Sequence, residues 1–438
     1  MLERAFPLIR QLNRSGFEAY AVGGCVRDRL LGHTADDVDI TTNALPSDVQ
    51  AVFHDFTVIP TGVQHGTVTV LYDGIPYEIT TYRTDGTYSD GRHPDDVRFT
   101  SSLEDDLARR DFTVNAMAYH PEKGLIDPFG GMDDLKAKRL RCVGHPERRF
   151  SEDALRIARL IRFMSSLDFD ADERTAAAAH ALAARLDLVA NERKQVELRK
   201  MVCGCRFTKV ALQFSDILCR IVPPLEACVG FEQHNPHHDF DVYTHTVRAV
   251  GAAPQNETIR LALLFHDIGK PHCFSRDENG IGHFYDHPAI SAEIAEATLR
   301  DLRFDNQTIR DVTMLVRHHD IPLPNDRKTL KRRLARFGEQ GVRQLFLLRA
   351  ADAAACRDSG VLPDFSESHR LLEAILQEEA CPSLSSLALD GHDLLTVGYP
   401  HGPQIGAILH ALLEAVIDEH VDNHRDSLLA YVKEHWPL

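Results

Sequence analysis

The spacing of apolar residues changes once along this chain, and that change constrains the fold more than any other feature. From residue 17 to 119, short β-branched runs (FEAYAVGG, DVDITT, GTVTVLYD, IPYEITTYR, FTVNAMAY) are separated by Gly, Pro and Asp turns, the pattern of a sheet. From about 138 onward strands are expected to vanish: EDALRIARLIRFMSSL, DERTAAAAHALAARLDLVA and NERKQVELRKMV carry the 3.6-residue period of consecutive helices. A length of 438 residues exceeds what one ordinary core organises. The reading is an α+β multidomain chain, a sheet-bearing N-terminal domain followed by an all-α remainder that is broken near the prolines of VPP at 222–224.

Charge narrows the partners. A net charge of -16 repels phosphate, so nucleic acid must be met on local basic surfaces. Two segments offer one, the arginine-rich stretch 136–162 and RKTLKRRLARF at 327–337. Nine cysteines without a CxxC pair point to reduced thiols and away from a zinc ribbon. No window approaches about 18 apolar residues and the N-terminal segment lacks an apolar signal core, so a cytoplasmic protein without membrane association is expected. Nothing in the sequence implies a protein partner.

The stretch AVGGCVRDRLLGHTADDVDITTNA at 21–44 carries the first chemistry. Asp37 and Asp39 flank a valine in a strand-like run, and a period of two puts both carboxylates on one face, with Asp36 toward solvent. Paired carboxylates repel unless cations lie between them, and hard oxygen ligands of this kind suit Mg²⁺. Two such ions, about 3.5–4 Å apart, clamp the attacking and leaving oxygens of a phosphoryl displacement. Glu78 in YEITTYR is the best-placed third carboxylate. Gly23 and Gly24 fall between a strand and a helix, where glycine lets backbone N–H groups approach phosphate oxygens. Arg27, one turn on, adds charge-assisted bonds.

A second pattern lies in SEDALRIARLIRF. With Ser151 as N-cap, Asp153 and Arg156 share one helix face. An Asp acceptor beside an Arg donor complements cytosine and adenine, each of which sets an amino donor next to a ring-nitrogen acceptor. Uracil and guanine present the reverse order and leave buried polar groups unpaired, at about 1–3 kcal/mol per group.

Taken in order, GGCVRDRLLG, DDVDI, RRDFTVNAMAY, DPFGGMDDL and EDALRIARLIRF resemble the successive motifs of class II tRNA nucleotidyltransferases and their poly(A) polymerase relatives. The resemblance runs across roughly residues 20–200 and implies a polymerase-beta-like head with Asp37 and Asp39 as Mg²⁺ ligands and Gly24 and Arg27 on the nucleotide phosphates. It places Arg110 and Asp111 in the motif that holds the nucleotide and tells ribose from deoxyribose, Asp153 and Arg156 in base recognition, and Arg159 and Arg162 on the nucleotide. RTDGTYSDGRHPDDVRF resembles the family's flexible loop, and NERKQVELRKMV a more structural neck motif.

Further on, DVYTHTV, LLFHDIGKP, FYDHPAIS, VRHHD and LLRAADAAA look like the HD pattern of metal-dependent phosphohydrolases, with His245, His266, Asp267 and Asp352 as ligands. His287 and one of His318 or His319 extend the set to two metals. Imidazole and carboxylate together suit Mn²⁺, Fe²⁺, Ni²⁺ or Co²⁺ as well as Mg²⁺. The expected domains are a head at 1–137, a helical neck at 138–222, an HD-type helical domain at 223–362 and a helical tail at 363–438. The function expected is template-independent addition of C, C and A to tRNA from CTP and ATP, with accessory hydrolysis of a phosphomonoester or 2′,3′-cyclic phosphate at the HD site. The alternatives are CC-only, A-only or poly(A) synthesis on the same fold, or an HD phosphohydrolase whose head binds RNA without catalysis.

Overall fold

The computed structural model describes residues 2–35, 37–85, 97–236, 238–322, 326–356, 365–377 and 383–437. Asp36, most of the expected flexible loop and the expected 362/363 boundary lie outside them. The chain divides into two compact units, Met1–Glu226 with Asp301–Phe304, and Ala227–Arg300 with Asp305–Leu438.

The first unit begins with a seven-stranded sheet. Its strands are β1 (Ala19–Val22), β2 (Asp39–Thr42), β3 (Thr57–Gly62), β4 (Thr67–Tyr72) and β5 (Ile75–Thr81), joined after a separate hairpin of β6 (Arg83–Asp85) and β7 (Val97–Phe99) by β8 (Ala118–His120) and β9 (Gly124–Ile126). The order is β3-β4-β5-β2-β1-β8-β9. β2 and β5 pair in parallel with Ile40 beside Ile79, while β1 pairs antiparallel with β2, Val22 beside Asp39. Alternation then decides the faces. Ile40, Ile79, Val68 and Val70 bury against Leu8, Ile9 and Leu12 of the first helix, Phe6–Arg14. Asp39 and Glu78, one residue back on β2 and β5, open onto the opposite face.

A helical stack completes this unit. The helices Leu155–Leu167 and Asn191–Val202 pack together through Ile157, Ile161, Met164, Leu198 and Met201, all nearly or fully buried. Asp134, fully buried, accepts from Thr113 Oγ1 at 2.7 Å, Arg139 Nε at 2.7 Å and Arg141 Nε at 2.8 Å. Those partners keep its carboxyl below the usual range against the burial that raises it.

Strands do not vanish after 138. Short two-stranded pairs form at Arg139–Leu140 with Asp170–Ala171 and at Phe274–Arg276 with Gly282–Phe284. They are too short to show a period in sequence.

The second unit is otherwise helical. Its longest helix, Arg327–Ala355, is interrupted at Gly338, whose φ of 68° is left-handed. The basic run at its start is drawn partly into packing. Arg332 bonds Glu414 and Asp418 at 2.8 Å each, Lys331 lies 3.8 Å from Glu419, and Lys328 Nζ donates to Asp418 O at 3.2 Å, so these cations hold the helix Pro403–Ile417. That expected nucleic-acid surface is thereby reduced. Asp390 caps the helix Gly391–Val397, its side chain accepting from the His392 and Asp393 amides at 2.8 and 2.9 Å. No helix among the described residues is long and apolar enough to cross a membrane, and no disulfide joins any two of the described cysteines.

Candidate active site and metal centre

Asp39 is the first residue of β2, level with Glu78 on β5. Asp37 precedes the strand rather than lying inside it, but Val38 between them is 4% exposed, so the alternation that turns both carboxylates outward survives. The protein around Asp39 raises its carboxyl to about 6; Arg110 opposes that rise, and the charges of Asp37 and Glu78 add to it. Such a group gains most from a divalent cation, which removes the repulsion among the three acids. The residues present fit one.

Asp39 and Glu78 open into a cleft of about 350 Å³ whose walls also include Arg110, Asp111, Asp153, Arg156 and Arg159. Asp37, Gly23, Gly24, Arg27 and Arg162 stand outside its lining. Gly23 nevertheless shapes it. Its φ is +80°, and a Cβ there would sit 2.7 Å from Arg110 Nη1, so glycine lets that guanidinium pass. The Gly23 amide bonds Met117 O at 3.3 Å, which takes it away from the phosphate role expected of it. Gly24 opens the short helix Gly24–Leu30.

Arg27 is turned inward. Its guanidinium donates to Asp28 at 2.8 and 3.0 Å and to Asn115 Oδ1 at 2.6 Å, and lies 4.9 Å from the centre of the Phe163 ring. In this conformation its donors meet protein acceptors. Arg110 is steered by Asp106, a fully buried acid 3.7 Å away that also accepts from Arg109 at 3.0 and 2.8 Å and from Thr41 at 3.1 Å. Nothing in the sequence pattern singled out Asp106, whose partners come from β2 and from the residues that follow its own helix, Leu103–Ala108.

The neck differs from the single helix expected with Ser151 as N-cap. One helix runs Pro146–Glu152, the next Leu155–Leu167, and Asp153 between them is extended at φ -140°, ψ 105°. The break lets the Asp153 side chain accept the Leu155 amide at 3.1 Å and take Arg193 at 2.8 and 3.2 Å. Arg156 pairs with Glu152 at 3.0 Å instead of Asp153 and donates to Arg109 O at 2.8 Å. Both Asp153 and Arg156 face the cleft. Beyond them, Arg159 holds Asp111 at 2.7 Å, and Arg162 pairs with Glu197 at 2.8 Å over the Phe163 ring. Arg159, Asn115 and the Phe112 amide keep the buried Asp111 carboxyl well below its usual range, despite the burial that raises it. Arg193 was not foreseen as a site residue; it lies 40 positions from Asp153, on a different helix.

The second unit carries its own cluster. His245, His266, Asp267 and Asp352 converge: His245 Nε2 is 3.1 Å from His266 Nε2, 3.3 Å from Asp267 Oδ2 and 3.1 Å from Asp352 Oδ1. His287 and His319 approach the other Asp267 oxygen at 3.3 and 3.7 Å and lie 3.2 Å apart. Asp267 thus joins two donor groups. His319, 2% exposed, is the inward member of its pair, while His318 faces Arg336 and the Phe337 ring.

The imidazoles are oriented for metal. The Nδ1 atoms of His266, His287 and His319 lie 2.7, 2.8 and 2.7 Å from the carbonyl oxygens of Leu263, Phe284 and Val316. Those acceptors place a proton on Nδ1 and turn each Nε2 toward the shared centre. Burial opposes charge on His266, yet the Asp267 and Asp352 carboxylates overcome it and raise the ring to about 10. Buried carboxylates ringed by imidazole Nε2 atoms fit divalent cations, which would displace the second proton that Asp267 and Asp352 hold on His266.

Carboxylates on adjoining strands of a mixed sheet, under a guanidinium-lined cleft closed by a helical neck, define a nucleotidyltransferase. Residues 19–141 match the poly A polymerase head domain, and residues 274–432 match tRNA nucleotidyltransferase domain 2. Over 410 residues the chain is 34% identical to the CCA-adding enzyme of Levilactobacillus brevis, covering 93% of this chain and 91% of that one. The chain belongs to the CCA-adding enzyme family. Its match to the CCA-adding enzyme of Geobacillus thermodenitrificans is 48% identical over 202 residues, 46% of this chain, and spans about half, 50%, of that relative. The crystal structure of the Bacillus stearothermophilus CCA-adding enzyme in complex with CTP is similar at a TM-score of 0.76 and 29% identity, covering 99% of this chain and 97% of that one.

Proposed function

We propose that this chain adds C, C and A in succession to the 3′ end of tRNA, taking CTP and ATP as substrates. The observation that carries this reading is a single cleft shared by Asp39 and Glu78 from the sheet and Asp153 and Arg156 from the neck. Chemistry and base choice thereby meet at one nucleotide. Membership of the CCA-adding enzyme family supports it.

In this reading the terminal 3′-hydroxyl oxygen of tRNA attacks the α-phosphorus of the nucleotide. A new P–O bond forms, the bond to the β-phosphate breaks, pyrophosphate leaves with the electron pair, and the hydroxyl proton passes to solvent. Divalent cations, Mg²⁺ by the hardness of the ligands, supply charge neutralisation and alignment. Asp37, Asp39 and Glu78 would hold them. Arg110, aimed by Asp106, offsets phosphate charge, while Arg156 donates to and Asp153 accepts from the base edge. Arg159 reaches the nucleotide from the same wall, and Arg162 supports it through their common partner Glu197.

The test uses tRNA transcripts that end at the discriminator base, after one C and after two, with CTP and ATP supplied separately. Incorporation of C, C and then A, stopping there, is the expected outcome. Long A tracts would identify poly(A) synthesis, A on the CC transcript alone an A-adding enzyme, and arrest after CC a CC-adding one. Asp39→Ala should abolish incorporation of both nucleotides; normal activity in that variant would refute the metal assignment and favour a non-catalytic head. For this activity we divide the chain into head 1–137, neck 138–222, HD-type domain 223–362 and tail 363–438, and place its action in the cytoplasm. The division of contacts after Glu226 supports the boundary near 222.

A second reading is favoured by the imidazole and carboxylate cluster of the second unit. There His245, His266, Asp267, His287, His319 and Asp352 would hold two ions of Mn²⁺, Ni²⁺, Co²⁺, Fe²⁺ or Mg²⁺ and support hydrolysis of a phosphomonoester or 2′,3′-cyclic phosphate. If no metal among these yields product from such substrates, and His266→Ala alters nothing, the reading fails.

A further inference from the structure

We propose that Phe163 is a positioning residue for nucleotide binding, its ring holding three arginines together against their mutual repulsion; this rests on the reading of the cleft as the site for CTP and ATP. Phe163 lies on the neck helix Leu155–Leu167 and is 3% exposed. The guanidinium carbons of Arg162, Arg27 and Arg159 stand 3.5, 4.9 and 5.3 Å from its ring centre. Arg159 and Arg162 belong to the neck helix and Arg27 to Gly24–Leu30 of the head, so one buried ring joins the two. Arg159 lines the cleft, and Phe163 acts on it from behind the wall.

Each guanidinium also has an acceptor. Arg27 donates to Asp28 and Asn115, Arg159 to Asp111, and Arg162 to Glu197. Those bonds use the N–H groups at the edge, whereas an aromatic ring attracts a flat cation through its negative face. The ring is itself fixed. Phe112 meets it edge-on at 87°, with centroids 5.9 Å apart, and the fully buried Phe112 donates its amide to Asp111, the carboxylate that takes Arg159.

Charge explains why a phenylalanine suits this place. Three cations gathered around one centre repel, and Asp28, Asp111 and Glu197 already offset them. A further carboxylate would hold the arginines but would also push a triphosphate away. The ring draws the guanidiniums together without adding net charge, so it leaves undiminished the positive field that the phosphates meet.

The experiment follows single-nucleotide extension of tRNA transcripts by the full chain with each of the four triphosphates. Phe163→Leu keeps an apolar side chain and removes the face; a ring-fluorinated phenylalanine in place of Phe163 keeps the shape and weakens the face's negative potential. In Phe163→Leu the KM for CTP and ATP should rise about 2- to 30-fold with kcat unchanged, and in the fluorinated chain it should rise in the same direction. Preference for C and A over U and G should persist, because Asp153 and Arg156 are held by Arg193 and Glu152. The fluorinated chain should melt as the wild type does, which keeps the test decisive if Phe163→Leu folds poorly. An unchanged KM in the fluorinated chain refutes the inference, and so does a loss of kcat and base choice together with KM, the mark of a ring that only packs. If the wild-type chain incorporates neither C nor A, the reading beneath the inference falls as well.

Discussion

Replacing Arg193 by Met tests whether Asp153 works as an oriented acceptor. Two bonds, 2.8 and 3.2 Å long, tie the Arg193 fork to the two Asp153 oxygens, and both side chains are largely shielded, at 25% and 17% exposure. Methionine keeps the stem's packing and removes the fork. A hydrogen bond to a charged group contributes about 1.5–3 kcal/mol net, and truncating one partner leaves the other carboxylate free to rotate or to gain a proton. If that orientation is what Asp153 brings to the nucleotide, kcat/KM for CTP and ATP should fall by about 10- to 150-fold. Discrimination against UTP and GTP should fall with it, because a swivelling acceptor no longer penalises the wrong edge. Arg193→Lys, which retains charge but not the fork, should land between. The assay is single-nucleotide extension of defined tRNA transcripts with each of the four triphosphates, alongside thermal melts. Arg193→Met with a normal melting temperature and wild-type efficiency and selectivity would refute the argument.

Asp39 gives a pH test. Its carboxyl is raised to about 6 in the folded protein from a usual value of 3.8, so between those pH values the native state binds more protons than the unfolded chain. Stability from this group therefore falls as pH rises through that window. Melts in chelator should show this, Mg²⁺ should raise the melting temperature at pH 7.5 but little at pH 5, and Asp39→Asn should abolish both effects. Asp134→Ala strands Arg139, Arg141 and Thr113 around a lost carboxylate; because both arginines reach solvent, a loss of about 3 kcal/mol, the low end for a buried pair, is expected in denaturant titrations. His266→Ala should lower Mn²⁺ stoichiometry in equilibrium dialysis while CTP incorporation persists, since its ring belongs to the second unit's cluster.

What the sequence by itself determined is whatever depends on neighbours along the chain. The period of two around Val38 turned Asp37 and Asp39 the same way, and the switch to the 3.6-residue period after 138 separated sheet from helices. The second centre was marked by the resemblance of LLFHDIGKP and its flanking histidine and aspartate segments to the HD pattern. Folding alone decided the rest, because burial and pairing are set by residues distant in sequence. It brought Glu78 level with Asp39 through parallel pairing of β2 and β5, and chose His319 over His318 by burying one and leaving the other half-buried beside Arg336 and Phe337. It turned Arg27 toward Asn115, 88 positions away, rather than into the cleft. It broke the neck helix at Asp153, whose carboxylate accepts the Leu155 amide and meets Arg193 across the stack. Local pattern named the acids and bases; their partners required the folded chain.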